Sequence, residues 1–228
     1  MNFAFLLSLL ARQNLPFFPV KMSLNSNRWN RIRYTFYTPI YDLLVGRIFT
    51  SSRQKSIGLL NIQPGEKVLL VGAGTGLDFQ FLPKNAMIWA SDITPSMVHK
   101  MQQRAQELNL NATVEVMDGQ NLPFPEATFD KVILHLIVAV IPDPLKCLQE
   151  AERVLKPGGE AVIFDKFRPK NQKLSGLRRL FNKLTSFLFS DITRVLEELL
   201  VQTNLKIQLD ISANFNGNFR IVKVRKQA

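Results

Sequence analysis

One stretch governs what this chain can fold into: the strand-like run Lys67-Val68-Leu69-Leu70-Val71 continues without a break into Gly72-Ala73-Gly74-Thr75-Gly76. An apolar run bounded by a glycine turn is the pattern of a buried strand. Glycine at every second position lets the backbone bend sharply and approach a bound molecule with no Cβ in the way. In an open parallel sheet such a turn lies at the carboxyl end of the first strand, where ligands bind. The rest of the chain alternates short β-rich runs with helical stretches, as βαβ units do. Residues 86–90, 112–116, 131–136 and 161–164 read as the second to fifth strands, and 205–209 and 219–224 as closing strands. Residues 95–108 read as a helix with Thr94 at the cap position and Pro95 as its first residue. Residues 145–155 read as an amphipathic helix stopped by Lys156-Pro157-Gly158-Gly159. The expectation is a single α/β sheet domain.

Two acids fall where a nucleoside needs them. Asp92 ends the second strand, 16 residues after Gly76, where a carboxylate can accept both hydroxyls of a ribose. Asp118, in Met117-Asp118-Gly119-Gln120, ends the third strand and can accept from an adenine amino group, with Met97 and Gly119 flanking the ring. Leu77 stands where G-x-G-x-x-G would place its third glycine, and no GxxxxGK[ST] loop exists, which argues against a dinucleotide or a nucleoside triphosphate. A cationic sulfonium nucleoside without phosphates fits better.

The segments LLVGAGTGLD, SDITPSM, MDGQNLPFPEATFD and RVLKPGG resemble the class I S-adenosylmethionine (SAM)-dependent methyltransferases. The likeness is to the ubiquinone/menaquinone C-methyltransferase branch, with the bacterial phosphatidylethanolamine N-methyltransferases nearby. It spans about residues 30–226. It implies a Rossmann-like three-layer sandwich whose seven-stranded, mostly parallel sheet has an antiparallel last strand. It also implies SAM held by Gly72, Ala73, Gly74, Thr75 and Gly76, by Asp92 with Ile93 and Met97, and by Asp118, Gly119, Gln120 and His135. The family usually carries an acid two residues before the first glycine; here Leu70 stands there, and Asp78 is the expected electrostatic substitute.

Residues 1–22 read as an N-terminal extension, 23–60 as a helical lid and 61–228 as the catalytic domain. The first apolar run ends at Arg12, short of the roughly 20 residues that span a bilayer. It is read either as an upstream extension or as a surface anchor. Tyr34 and Tyr37 sit in a lid segment whose rings can exclude water and face a cationic methyl group; packing of a helical cap is the other reading. His135, at the end of the fourth strand, is placed against the acceptor as an orienting group or base, or as a structural or cofactor contact.

A single Cys and two His leave no structural metal cluster and point to a reducing compartment. The formal charge is +11, and such an excess calls for an anionic partner or a solvated basic face. Cations concentrate at 166–188, where Leu174, Leu177, Leu180, Phe181, Leu184, Phe187 and Leu188 recur at helical spacing between Lys173, Arg178, Arg179 and Lys183. A helix of that kind lies on an anionic membrane or covers the sheet. The expected acceptor is a small, lipid-like molecule, a phospholipid amine or a quinone ring, with the protein cytoplasmic and peripherally on a membrane. A soluble small molecule is one alternative and a nucleic-acid-associated methyltransferase another. Against nucleic acid stands His135-Leu-Ile-Val, where an Asn-Pro-Pro-Tyr-type motif would be.

Overall fold

A computed structural model describes residues 47–167, 194–214 and 218–227. In chain order its elements are α1 (Arg47–Gly58), β1 (Lys67–Val71), a 3₁₀ turn (Phe79–Phe81), β2 (Met87–Asp92), α2 (Pro95–Glu107), β3 (Ala112–Val116), β4 (Phe129–His135), α3 (Pro144–Val154), β5 (Leu155–Lys166), α4 (Leu196–Leu200), β6 (Leu205–Ser212) and β7 (Phe219–Lys226). The seven strands form one sheet in the order β3-β2-β1-β4-β5-β7-β6. β1 pairs in parallel with both β2 and β4, while β7 is antiparallel to both β5 and β6. The strand order reverses between β1 and β4, so the crevice for ligands opens at their carboxyl ends.

Each face of the sheet is buried by helices. Leu69, Val71, Val132, Leu134 and Ile163 point to one side, against Leu148 and Val154 of α3 and Leu196 of α4. Val68, Leu70, Ile88 and Ile133 point to the other, against Val98 and Met101 of α2 and Ile57 of α1. Period-2 alternation of apolar residues on both faces explains the near-continuous apolar run of β1. α1, the described part of the segment expected as a lid, packs on this second face, where Phe49 meets Phe164 edge-on at 5.5 Å. The rest of that segment, and most of the basic stretch at 166–188, lie outside the described residues.

Apart from β5, the element boundaries fall within three residues of the sequence reading. β5 begins at Leu155 rather than 161, because Leu155 pairs with Phe129 and the register then shifts around the glycine pair. Thr94 occupies the cap position of α2 without a side-chain cap bond. Asp143 caps α3, accepting from the Lys146 N–H at 3.0 Å.

Cys147 of α3 is buried, and burial pushes its thiol up to about 12. The folded protein is therefore expected to resist alkylation near pH 8, whereas the unfolded chain reacts. Mass spectrometry after iodoacetamide treatment checks this. Among the described residues no helix is long and apolar enough to cross a membrane.

Candidate active site

The glycine turn after β1 needs its glycines. Gly72, Gly74 and Gly76 have φ of 64°, 60° and 77°, the left-handed region that side chains with a Cβ avoid. A Cβ on Gly72 would also stand 2.5 Å from Ile137 Cδ1, because the segment after β4 overhangs the turn. Arg104 of α2 braces the turn from behind, donating from Nη1 to the Thr75 carbonyl at 2.8 Å. The Ala73 N–H donates to the Ser91 carbonyl at 2.8 Å, tying the turn to the end of β2.

Asp92 meets the turn directly. Its Oδ2 accepts from the Gly74 N–H at 3.0 Å and its Oδ1 from the Thr94 N–H at 2.8 Å. Burial raises its carboxyl above the usual range, partly offset by these amide donors. Each carboxylate oxygen has a second lone pair to offer. Across the crevice, Asp118 Oδ1 accepts from the Gln120 backbone N–H at 3.0 Å and from Gln120 Nε2 at 2.9 Å. Gln120 Oε1 in turn accepts from the Asp143 N–H at 2.8 Å. At Gly119 a Cβ would sit 2.7 Å from Val71 Cγ1, so only glycine leaves that wall in place.

These groups line one cavity, with Gly72, Gly74, Asp92, Ile93, Met97, Met117, Asp118 and Gly119 on one side and Leu136, Ile137, Val140, Ile141 and Pro142 on the other. Among the described residues its lining holds two carboxylates and no Lys, Arg or His. That is the wrong electrostatics for phosphate and the right one for a cation. A cradle of glycines, a carboxylate with unused lone pairs and acidic, otherwise apolar walls fit a phosphate-free sulfonium nucleoside.

A methyltransferase-domain family model matches residues 69–163. The chain is 26% identical over 190 residues to a phosphatidylethanolamine N-methyltransferase of Cereibacter sphaeroides, covering 82% of this chain and 93% of that one. It is 31% identical over 133 residues to a ubiquinone/menaquinone biosynthesis C-methyltransferase of Bordetella avium, covering 57% of this chain and about half, 52%, of that one. Among solved structures, the [4+2]-cyclase SpnF superposes with a TM-score of 0.73 at 16% identity, over 89% of this chain and 97% of that one. The last likeness speaks for the fold alone.

The matched domain and the relatives support a SAM-dependent methyltransferase. In this methyltransferase the expected cofactor residues Gly72, Gly74, Asp92, Ile93, Met97, Asp118 and Gly119 converge on the cavity. Ala73, Thr75 and Gly76 shape the turn, and Gln120 orients Asp118. Tyr34 and Tyr37 lie outside the described residues. His135 stands behind the cavity wall rather than in it. Its side chain is 1% exposed, with Nδ1 2.9 Å from Asp78 Oδ1 and Nε2 2.9 Å from Ser56 Oγ. As the last residue of β4 it shares a face with Ile133, which α1 and the core cover.

Asp78 also differs from its expected role. Its Oδ2 accepts from Arg53 at 2.8 Å while Oδ1 faces His135, so both oxygens are engaged inside the protein. Burial alone would raise its carboxyl; Arg53 and His135 outweigh that and hold it well below the usual carboxylate range.

The residues missed from sequence are Met117 and the segment Leu136–Pro142. The signal was available, since the loop after a strand next to the switch point borders the crevice. Leu136 has φ 59°, a strained conformation for a bulky residue. Its N–H donates to the Phe164 carbonyl at 2.8 Å. Asp165 holds the same segment, accepting from the Ala139 N–H at 2.8 Å, and Arg194 donates to the Val138 and Ile141 carbonyls. Burial raises the Asp165 carboxyl from 3.8 to about 6. A raised folded-state value means the folded protein keeps its proton longer, so stability falls as pH rises between about 4 and 6. The loss is on the order of 3 kcal/mol. Asp165→Asn is expected to remove that component, read as the difference between the two proteins in urea unfolding across this window.

Proposed function

We propose that this methyltransferase transfers a methyl group from SAM to a small, lipid-like acceptor, a phospholipid amine or a quinone ring. The observation that carries the cofactor assignment is the acid-only lining of the cavity at the sheet's switch point. In this reading Asp92 accepts the ribose hydroxyls, Asp118 the adenine amino group, and Met97 and Gly119 flank the ring. The Gly72–Gly76 turn follows the methionine part. SAM supplies the electrophilic methyl carbon when bound. The chain's part is alignment and exclusion of water, effects that reach roughly 7–11 kcal/mol for well-oriented partners.

Three features support an apolar acceptor at an anionic surface. The second cavity wall, Leu136 to Pro142, is apolar. Most of the cationic excess lies in the sequence outside the described residues, notably Arg178, Arg179 and Lys183 in the 166–188 stretch. A curated relative matched over most of its length is named a phosphatidylethanolamine N-methyltransferase. Incubation with methyl-labelled SAM and a total lipid extract, followed by thin-layer chromatography, tests the reading. Label in a phospholipid or quinone band is the expected result. Label only in water-soluble products would replace the lipid acceptor with a soluble one.

A further inference from the structure

Four buried polar side chains stand outside the cavity and take no part in the reading above: Arg53 and Ser56 of α1, Asp78 after the glycine turn, and His135 at the end of β4. They form one chain of contacts, Arg53 to Asp78 at 2.8 Å, Asp78 to His135 at 2.9 Å and His135 to Ser56 at 2.9 Å. The order serine, histidine, aspartate is that of a hydrolytic triad. Ser56 is fully buried in α1, however, so it has no access to a substrate. An ionised Asp78 only accepts, which puts a hydrogen on His135 Nδ1 and leaves Nε2 to accept from the Ser56 hydroxyl when the ring is neutral.

The array's position gives it a use. Asp78 lies two residues beyond Gly76, and His135 immediately precedes Leu136, so their contact joins the two walls of the cavity. One wall is the glycine turn; the other begins at Leu136, a bulky residue held at φ 59°. Strained backbone persists only where its surroundings over-determine it. Burying two charges and an imidazole is costly for stability alone, yet here every link bridges segments distant in sequence, 25 residues for Arg53–Asp78 and 57 for His135–Asp78.

We infer that Asp78 and His135 are positioning residues that lock the glycine turn to the Leu136 bend, and that Arg53 and Ser56 make this lock depend on α1 being docked. SAM affinity is thereby coupled to the seating of α1, an inference that rests on the cofactor reading given above. The coupling needs no contact between these four side chains and the cofactor. They act on the turn's backbone, which does the touching.

The test compares variants of the full-length protein matched in thermal stability. Ser56→Ala and His135→Gln break links of the array; Leu205→Ala removes a buried side chain of β6, outside both α1 and the array. His135→Asn is the conservative variant, because its amide reaches the Nδ1 position and preserves the Asp78 contact. Two quantities are read: SAM affinity by calorimetry, and amide hydrogen exchange over residues 72–79 and 136–141 without ligand. Ser56→Ala and His135→Gln are expected to weaken SAM about ten-fold and to speed exchange in both segments. Leu205→Ala is expected to leave both near wild type, and His135→Asn to recover most of the affinity. If Leu205→Ala matched the array variants, or if the array variants moved neither quantity, the lock would be overturned. Failure of wild type itself to bind SAM would instead sink the cofactor reading, with the exchange data still able to report the lock.

Discussion

Replacing Asp92 with alanine is expected to weaken SAM binding by roughly 10²–10⁴-fold, since two hydrogen bonds to a charged group are lost at about 1.5–3 kcal/mol each. The carboxylate has two partners already, the Gly74 and Thr94 N–H groups, so alanine also leaves two amide donors unmet and loosens the turn. Asp92→Asn separates the two effects. Its amide oxygen keeps one acceptor, so its affinity is expected to fall between alanine and wild type while its thermal midpoint stays nearer wild type. Calorimetric titration with SAM, alongside thermal unfolding of each variant, decides. Wild-type affinity in Asp92→Ala would remove the ribose assignment altogether. Because the Asp92 carboxyl is raised, affinity should also decline as pH falls toward its protonation.

Asp78→Ala is expected to be the most destabilising single change, by about 3–5 kcal/mol, because it removes the carboxylate that faces the buried Arg53 guanidinium. Arg53 and Asp78 side chains are 4% and 2% exposed, so water cannot take over. In a chain of this size that corresponds to a fall of roughly 6–20 °C in Tm. The double variant Arg53→Met, Asp78→Leu should recover much of the loss, since an apolar pair avoids the desolvation of both charges. Urea unfolding of the single and double variants measures this. A double variant no more stable than Asp78→Ala would mean the pair contributes more than relief of an unpaired charge. The pH dependence has the opposite sign to that of Asp165. The folded-state value of Asp78 is depressed, so its contribution is present above the usual carboxylate range and fades as pH falls below it.

Much of the architecture was legible because its signals are local. Val68 to Gly76 specifies strand and turn through apolar run and glycine spacing, and β1 and β3 match their expected bounds. Asp92 and Asp118 could be assigned to one cavity from sequence because both end parallel strands on the carboxyl side of the sheet. Pro95 marked the start of α2 for the same kind of reason, a fixed φ at the first helical position.

What sequence left open depends on which residues meet across the fold. His135 ends a strand and Asp118 follows one, yet one is enclosed under α1 and the other lines the cavity, and only the packing of layers decides between those surroundings. Asp78 reads as a free acid beside the cofactor until Arg53 and His135 are brought to both of its oxygens. The start of β5 was misplaced because Lys156-Pro157-Gly158-Gly159 is locally a stop, and pairing of Leu155 with Phe129 overrides it. By itself the sequence determined the order of elements, the glycine turn and the two acids at strand ends, since each follows from backbone sterics and short-range periodicity. Only the tertiary structure decided the partners of the buried ionisable groups, because their charges are settled by desolvation and by contacts between residues far apart in the chain.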